Sequence, residues 1–255
     1  MASMYTFPPP DPTVKTEDRT SDNGVKVRVY TPENYSGDNP VGVYYHGGGW
    51  AMGDVEADDP LARAISKAAN VVLVSVEYGL APQNKHPGLM NDCWDAFQWT
   101  LNNAKQLGGI EGKAFTIGGS AGAQLALAMA LKALDEGLEQ AVVGVVAQVP
   151  VTVHPDGVPD ELKSKYTSYT EFKDKTINTA DAMHTFWGKR RRNLSHIQAN
   201  CSSTEAFGVP PADPLGSPLL HARIKDLKKV YLAVAGQDTL RDDGILFKEK
   251  LEETK

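Results

Sequence analysis

The stretch AFTIGGSAGAQLALAMALKAL, Ala114 to Leu134, constrains the fold more than any other part of the chain. A short apolar run of strand character leads into GGSAG, and a long run of strong helix formers follows. Strand, tight turn and helix in that order predict a serine set on a sharp elbow. Gly118 and Gly122 leave the turn nearly free of side chains, and Ser120 then projects its hydroxyl at the helix N-terminus. Unpaired backbone N–H groups and the positive end of the helix dipole favour developing negative charge there. Ser120 is therefore a candidate nucleophile. The same pentapeptide also suits a glycine-rich turn closed by a capping serine.

The rest of the chain supplies the matching pattern. Val25 to Tyr30 alternates apolar and polar residues, as a half-exposed antiparallel strand does. Val41 to Tyr45, Val71 to Val76, Ala114 to Ile117, Val142 to Val149 and Val230 to Val234 are apolar runs typical of strands buried on both faces. Helices are predicted over Pro60 to Ala69 and Asn91 to Leu107, and Gly137 stands where the helix after the elbow should end. The alternation predicts an α/β fold, a mostly parallel sheet with helices on both faces. Residues 1–20 read as a polar arm before a domain over 21–255. Residues 151–208 break the rhythm and read as a cap insertion over a site, with Tyr166, Tyr169, Phe172, Met183, Phe186 and Trp187 as cap-core residues.

Two further motifs carry chemistry. HGGGW, His46 to Trp50, directly follows the strand VGVYY. Its glycines let the main chain approach a substrate carbonyl, so Gly47, Gly48 and Gly49, with Ala121 after the serine, are candidate oxyanion-hole residues. His46 reads as a residue that shapes this loop by hydrogen bonding. AGQDTLRDDG, Ala235 to Gly244, follows the strand KVYLAV. It places Asp238 past a strand's C-terminal end, where sites in open α/β sheets lie. Asp238 is the candidate acid that orients a histidine base. Asp242 and Asp243 open the next helix and read as N-terminal capping carboxylates.

Charge and cysteine content narrow the classes. A net charge of −6 argues against nucleic acid as a partner, and the basic run over 189–192 reads as a solvated face. Cys93 and Cys201 are too few for a disulfide framework and too far apart in sequence for a metal knuckle, so Cys93 is expected as a buried free thiol. GGSAG has neither the GxGxxG spacing nor the lysine of a phosphate-binding loop, which excludes a nucleotide cradle. No secretory signal and no apolar run long enough for a bilayer are present, so a cytoplasmic protein is expected.

HGGGW, GGSAG and GQDTLRDDG, together with YGLAP at Tyr78 to Pro82 and DPLGSPLL at Asp213 to Leu220, resemble the hormone-sensitive-lipase-like branch of the α/β-hydrolases. Within it the chain is most similar to fungal esterases of secondary metabolism. The resemblance runs from about residue 20 to the end and implies a capped sheet of eight strands. It also implies hydrolysis of small or medium acyl esters through an acyl-enzyme on Ser120, with no metal or cofactor. Gly119 and Ala123 depart from the Asp and Gly that many members carry there. Family order is serine, then aspartate, then histidine, and no histidine follows His221 in this sequence. The resemblance thus implies that the last strand and helix, with the catalytic histidine, are absent from it. His184 and His196 in the insertion are the substitutes that could approach from above. The alternative reading is a catalytically impaired or ligand-binding homologue, as gibberellin receptors are. A bare apolar edge at Lys229 to Val234 predicts self-association into a homo-oligomer.

Overall fold

The computed structural model describes residues 9–188 and 207–253. His196, Cys201 and the basic run over 189–192 lie outside the described residues. Described strands are β1 (Val14–Thr20), β2 (Lys26–Pro32), β3 (Val41–Tyr45), β4 (Leu73–Glu77), β5 (Ala114–Gly119), β6 (Val142–Gln148) and β7 (Val230–Ala233). The α-helices are α1 (Asp59–Ala69), α2 (Gly88–Asn103), α3 (Ala121–Asp135), α4 (Ser168–Glu171), α5 (Ala180–Phe186) and α6 (Arg241–Glu252). The sheet runs β1-β2-β4-β3-β5-β6-β7. Pairings β1–β2 and β2–β4 are antiparallel, and those from β4 through β3, β5 and β6 to β7 are parallel.

Alternation along the strands sorts the core into two layers. Val41, Val43 and Tyr45 of β3, with Val74 and Val76 of β4, face the layer packed by α2, α3 and α6. Tyr44, Leu73, Tyr30 and Ile117 face the opposite layer, where Ala62 of α1 packs. Helices therefore cover both faces, as the βαβ pattern requires. At one sheet edge β7 leaves Tyr231 62% exposed.

The sheet also extends into residues read as an arm. Residues 14–20 form β1, zipped to β2 from Val14 opposite Pro32 to Thr20 opposite Lys26. Only Val14 of β1 is buried, and the KTEDRT residues after it are mostly exposed. Backbone pairing to β2 and polar contacts, such as Arg28 on Asp18 and Arg63 on the Val14 carbonyl, hold this edge strand, and neither leaves an alternating apolar signal. No described helix is long and apolar enough to cross a membrane.

Helix α3 runs through the centre, and its sequence explains how. Apart from Lys132 and Asp135 its residues are buried, so it is apolar all round rather than on one stripe. Alanines and Gly122 let it lie close on the sheet, where Thr116 Oγ1 donates to the Ala126 carbonyl at 2.8 Å. Its end is a Schellman turn: Leu138 N–H donates to Ala133 O and Gly137 N–H to Leu134 O, with Gly137 at φ 75°.

Candidate active site

Ser120 has φ 54° and ψ −120°, a conformation that L-residues seldom adopt. It is the N-cap residue of α3, yet its side chain makes no capping hydrogen bond, so the hydroxyl is not occupied by the helix end. Its own N–H donates to Gln148 O at 2.8 Å, which ties the elbow to the end of β6. Val149, the next residue, has φ 46°, a severe outlier for a β-branched side chain, and Trp50 has φ 62°. Three positive-φ residues other than glycine thus gather around one cleft, as strain does at functional sites.

That cleft measures about 690 Å³ and is lined by Gly47, Gly48, Gly49, Ser120, Ala121 and Asp238, among others. The HGGGW loop lies directly against the elbow. A Cβ on Gly47 would stand 3.0 Å from Gly119 O and 3.8 Å from Ser120 Cβ. Gly48 needs φ 111° and Gly49 φ 60°, and a Cβ on Gly48 would come within 2.1 Å of Met52 O. This tight turn closes with Ala51 and Met52 N–H both donating to Gly48 O. Among the described residues, the N–H groups of Gly48, Gly49 and Ala121 make no intramolecular hydrogen bond. They remain free for a ligand oxygen.

His46 holds the loop from behind. It is 1% exposed, its ring stacks on Tyr78 with centroids 4.2 Å apart, and Tyr78 OH donates to His46 O at 2.8 Å. Its Nδ1 lies 2.7 Å from Gly47 O, close enough to donate. Trp50 is fully buried, stacked on Phe207, with Nε1–H donating to Gln124 Oε1 at 2.9 Å. Burial raises the Tyr78 hydroxyl well above its ordinary pKa, so this support stays neutral.

Asp238 is 6% exposed in the loop after β7. Its Oδ1 accepts the Leu240 N–H at 2.9 Å and its Oδ2 lies 3.4 Å from Asn178 Nδ2. No histidine is among the described residues lining the cleft. His86 lies beside Asp213 and His221 beside Asp135, and His154 Nδ1 accepts the Asp156 N–H. His184, in α5, lies tilted against Tyr169, with ring centroids 5.8 Å apart.

Asp242 and Asp243 stand in the first turn of α6 but do not cap it: the helix end has no side-chain cap hydrogen bond, and both carboxylates reach across to the insertion. Asp242 Oδ2 accepts from the N–H groups of Thr167 and Ser168, both at 2.7 Å, and so holds the start of α4. Burial works to raise this carboxyl, yet Arg241 and those amides outweigh it and keep it below the usual range. Asp243 is fully buried and accepts from Thr152 N–H at 2.7 Å, Val153 N–H at 3.2 Å and Tyr166 OH at 2.8 Å. Burial pushes its pKa up to about 7 against those donors. The two carboxylates pin the insertion to the helix that follows the Asp238 loop.

The insertion gives its apolar residues two tasks. Trp187, Tyr166 and Met183 pack in or on the main core, while Phe186 and Met183 also line the cleft. A Cβ on Gly49 would come within 2.4 Å of the Phe186 ring, so α5 sits directly on the glycine loop. Sequence patterning missed Tyr44, Met52, Asp58, Leu61 and Ile177 as lining residues, because nothing local marks them.

Gly122 marks how closely elbow and loop must pack. A Cβ there would stand 2.0 Å from Tyr45 O and 2.6 Å from His46 O, both backbone atoms that cannot swing aside. Gly122→Ala should lower stability by about 1–3 kcal/mol, despite the better helix propensity of alanine. Thermal unfolding reads this directly. An unchanged Tm would mean that the α3–β3 contact is looser than these distances.

A family model described as an alpha/beta hydrolase fold matches residues 42–255. The chain is 43% identical over 99% of its length to an FAD-linked oxidoreductase, pytB, of Aspergillus terreus, of which it spans only 28%. It is 41% identical over its whole length to a versiconal hemiacetal acetate esterase of Aspergillus parasiticus, covering 74% of that protein. Among solved structures, a thermostable carboxylesterase, EstE1, cloned from a metagenomic library superimposes with a TM-score of 0.75. That match has 29% identity and covers 94% of this chain and 74% of the other.

Proposed function

The chain belongs to the α/β-hydrolase fold family, and from that premise we propose that it is a serine carboxylesterase of fungal secondary metabolism. Ser120 is the nucleophile and forms the acyl-enzyme. One observation carries this reading: the strained, uncapped Ser120 shares a cleft with the free amides of Gly48, Gly49 and Ala121 and with Asp238.

Attack of Ser120 Oγ on an ester carbonyl moves charge onto the carbonyl oxygen. The three amides meet that charge without reorganising, because the glycine loop is already locked by His46, Tyr78 and the turn at Gly48. Alcohol then leaves, and water repeats the attack on the acyl-enzyme. Both steps need a base to take and return a proton, and Asp238 is placed to orient a histidine and stabilise its cation. Exposed apolar side chains of Met52, Leu61 and Ile177 line the cleft. They suit small or medium acyl esters with an apolar body. The kinship with esterases of fungal secondary metabolism supports the same assignment.

A fluorophosphonate probe tests the reading. Mass spectrometry should find one adduct, on Ser120, and the protein with a histidine base completing the site beside Asp238 should hydrolyse p-nitrophenyl acetate and butyrate. No adduct on Ser120 together with no hydrolysis would overturn it.

A further inference from the structure

We infer that Asp58, held by Tyr44, is a specificity-determining residue of this cleft that selects esters carrying a hydroxyl and rejects esters carrying a carboxylate. The inference rests on the esterase reading for what the cleft turns over, and on geometry for what it binds.

Asp58 stands at the N-cap position of α1, where an aspartate ordinarily accepts an N–H of the first turn. It does not: its side chain makes no capping hydrogen bond. Its Oδ2 instead accepts the Tyr44 hydroxyl at 2.6 Å, and both residues line the cleft that holds Ser120. Tyr44 cannot drift, because its ring is 3% exposed and packed in the layer formed with Tyr30, Ala62, Leu73 and Ile117. Burial, with the neighbouring carboxylate, raises the Tyr44 pKa strongly, so it stays a protonated donor aimed at Asp58.

The direction of that hydrogen bond decides what the pair can recognise. Tyr44 uses its only proton on Asp58, and an ionised carboxylate has none to give. The pair therefore offers the cleft acceptors alone: the carboxylate oxygens and the tyrosine lone pairs. A substrate hydroxyl is the matching group. A substrate carboxylate would face unneutralised negative charge, since the charged side chains among the described residues lining this cleft are Asp58 and Asp238. Leu61, one turn along α1, and Met52 flank the subsite with apolar surface.

Three butyrate esters of similar size separate these effects: propyl butyrate, 2-hydroxyethyl butyrate and 3-(butyryloxy)propanoate. Their Kd values are read by tryptophan fluorescence on the Ser120→Ala chain, in which turnover cannot intervene and Trp50 lines the cleft. Adding Asp58→Leu should cut the preference for the hydroxyl ester over the propyl ester by about tenfold or more, the usual weight of a hydrogen bond to a charged group. Adding Asp58→Asn should improve binding of the carboxylate ester relative to the neutral ones by a similar factor. Should either variant lose its cooperative melt, Tyr44→Phe keeps the ring and should also erode the hydroxyl preference.

A merely structural fastener between α1 and β3 predicts something different. All three esters would then shift together, or only Tm would move. Ratios unchanged within about threefold, or no measurable binding of any of the three esters, would overturn the inference. Turnover of the same esters by the chain with Ser120 intact reports separately on the esterase reading. A chain that binds selectively without hydrolysis refutes that reading and leaves the Asp58 subsite standing.

Discussion

Ser120→Ala is expected to reduce hydrolysis of short p-nitrophenyl esters to the background rate and to leave the fold unchanged. In the proposed mechanism the Ser120 alcohol oxygen is the atom that attacks, and neither Ala121 nor the glycine loop can replace it. In a serine protease with a complete triad, removing the nucleophile costs on the order of a millionfold in kcat. What remains is the contribution of the oxyanion hole and of binding, so where a histidine base completes the site beside Asp238 the loss should be at least about a thousandfold. Stability should barely move, because the Ser120 hydroxyl does not cap α3. The φ of 54° stays strained for alanine as for serine. The measurement is a pair: initial rates with p-nitrophenyl butyrate, and urea unfolding of both proteins. Retained hydrolysis in the variant would remove Ser120 from the mechanism. A large fall in stability would mean that its hydroxyl has a structural partner.

The second large effect is on stability. Asp243→Leu should cost about 3–5 kcal/mol, because it leaves the N–H groups of Thr152 and Val153 and the Tyr166 hydroxyl buried without their acceptor. Each orphaned donor costs about 1–3 kcal/mol, partly relieved by water or local shifts. Asp243→Asn keeps one acceptor oxygen and should cost less, and it adds a pH test. The folded-state pKa, about 7, lies above the ordinary 3.8, so the folded protein binds the proton more tightly than the unfolded chain. Stability from this group is therefore fully present below the unfolded value and is lost as pH rises through the folded one. Urea midpoints across pH 4 to 7 should fall more steeply for the wild type than for Asp243→Asn. Parallel curves would mean that Asp243 is ionised throughout. A loss under about 1 kcal/mol for Asp243→Leu would show that water replaces the carboxylate.

Legibility of the fold and the site follows the range of the forces involved. The parallel strands and α1, α2 and α3 were readable because apolar patterning and helix propensity act over a few residues. Gly137 is an example: a Schellman turn needs a positive φ, and glycine supplies it without strain. GGSAG and HGGGW were readable for the same reason, since tight backbone turns restrict their own residue types. By contrast β1 was concealed, because what joins it to β2 is backbone pairing and a polar pair, Asp18 with Arg28, not an apolar pattern.

What the sequence by itself determined is the set of local geometries: an elbow that strains Ser120, a glycine loop that exposes amides, and the α/β alternation that brings strand ends to one side. The tertiary structure alone decided the long-range pairings. Asp243 meets Thr152 across 91 residues and Asp242 meets Ser168 across 74, so no local pattern could record them. Nothing local marks Asp58, and only the sheet brings Tyr44 beside it. Phe186 and Trp187 are neighbours in chain and alike in chemistry, yet one faces the cleft and the other the core. The physical reason is that a side chain's partner depends on where the sheet delivers it, and that is a property of the whole packed chain.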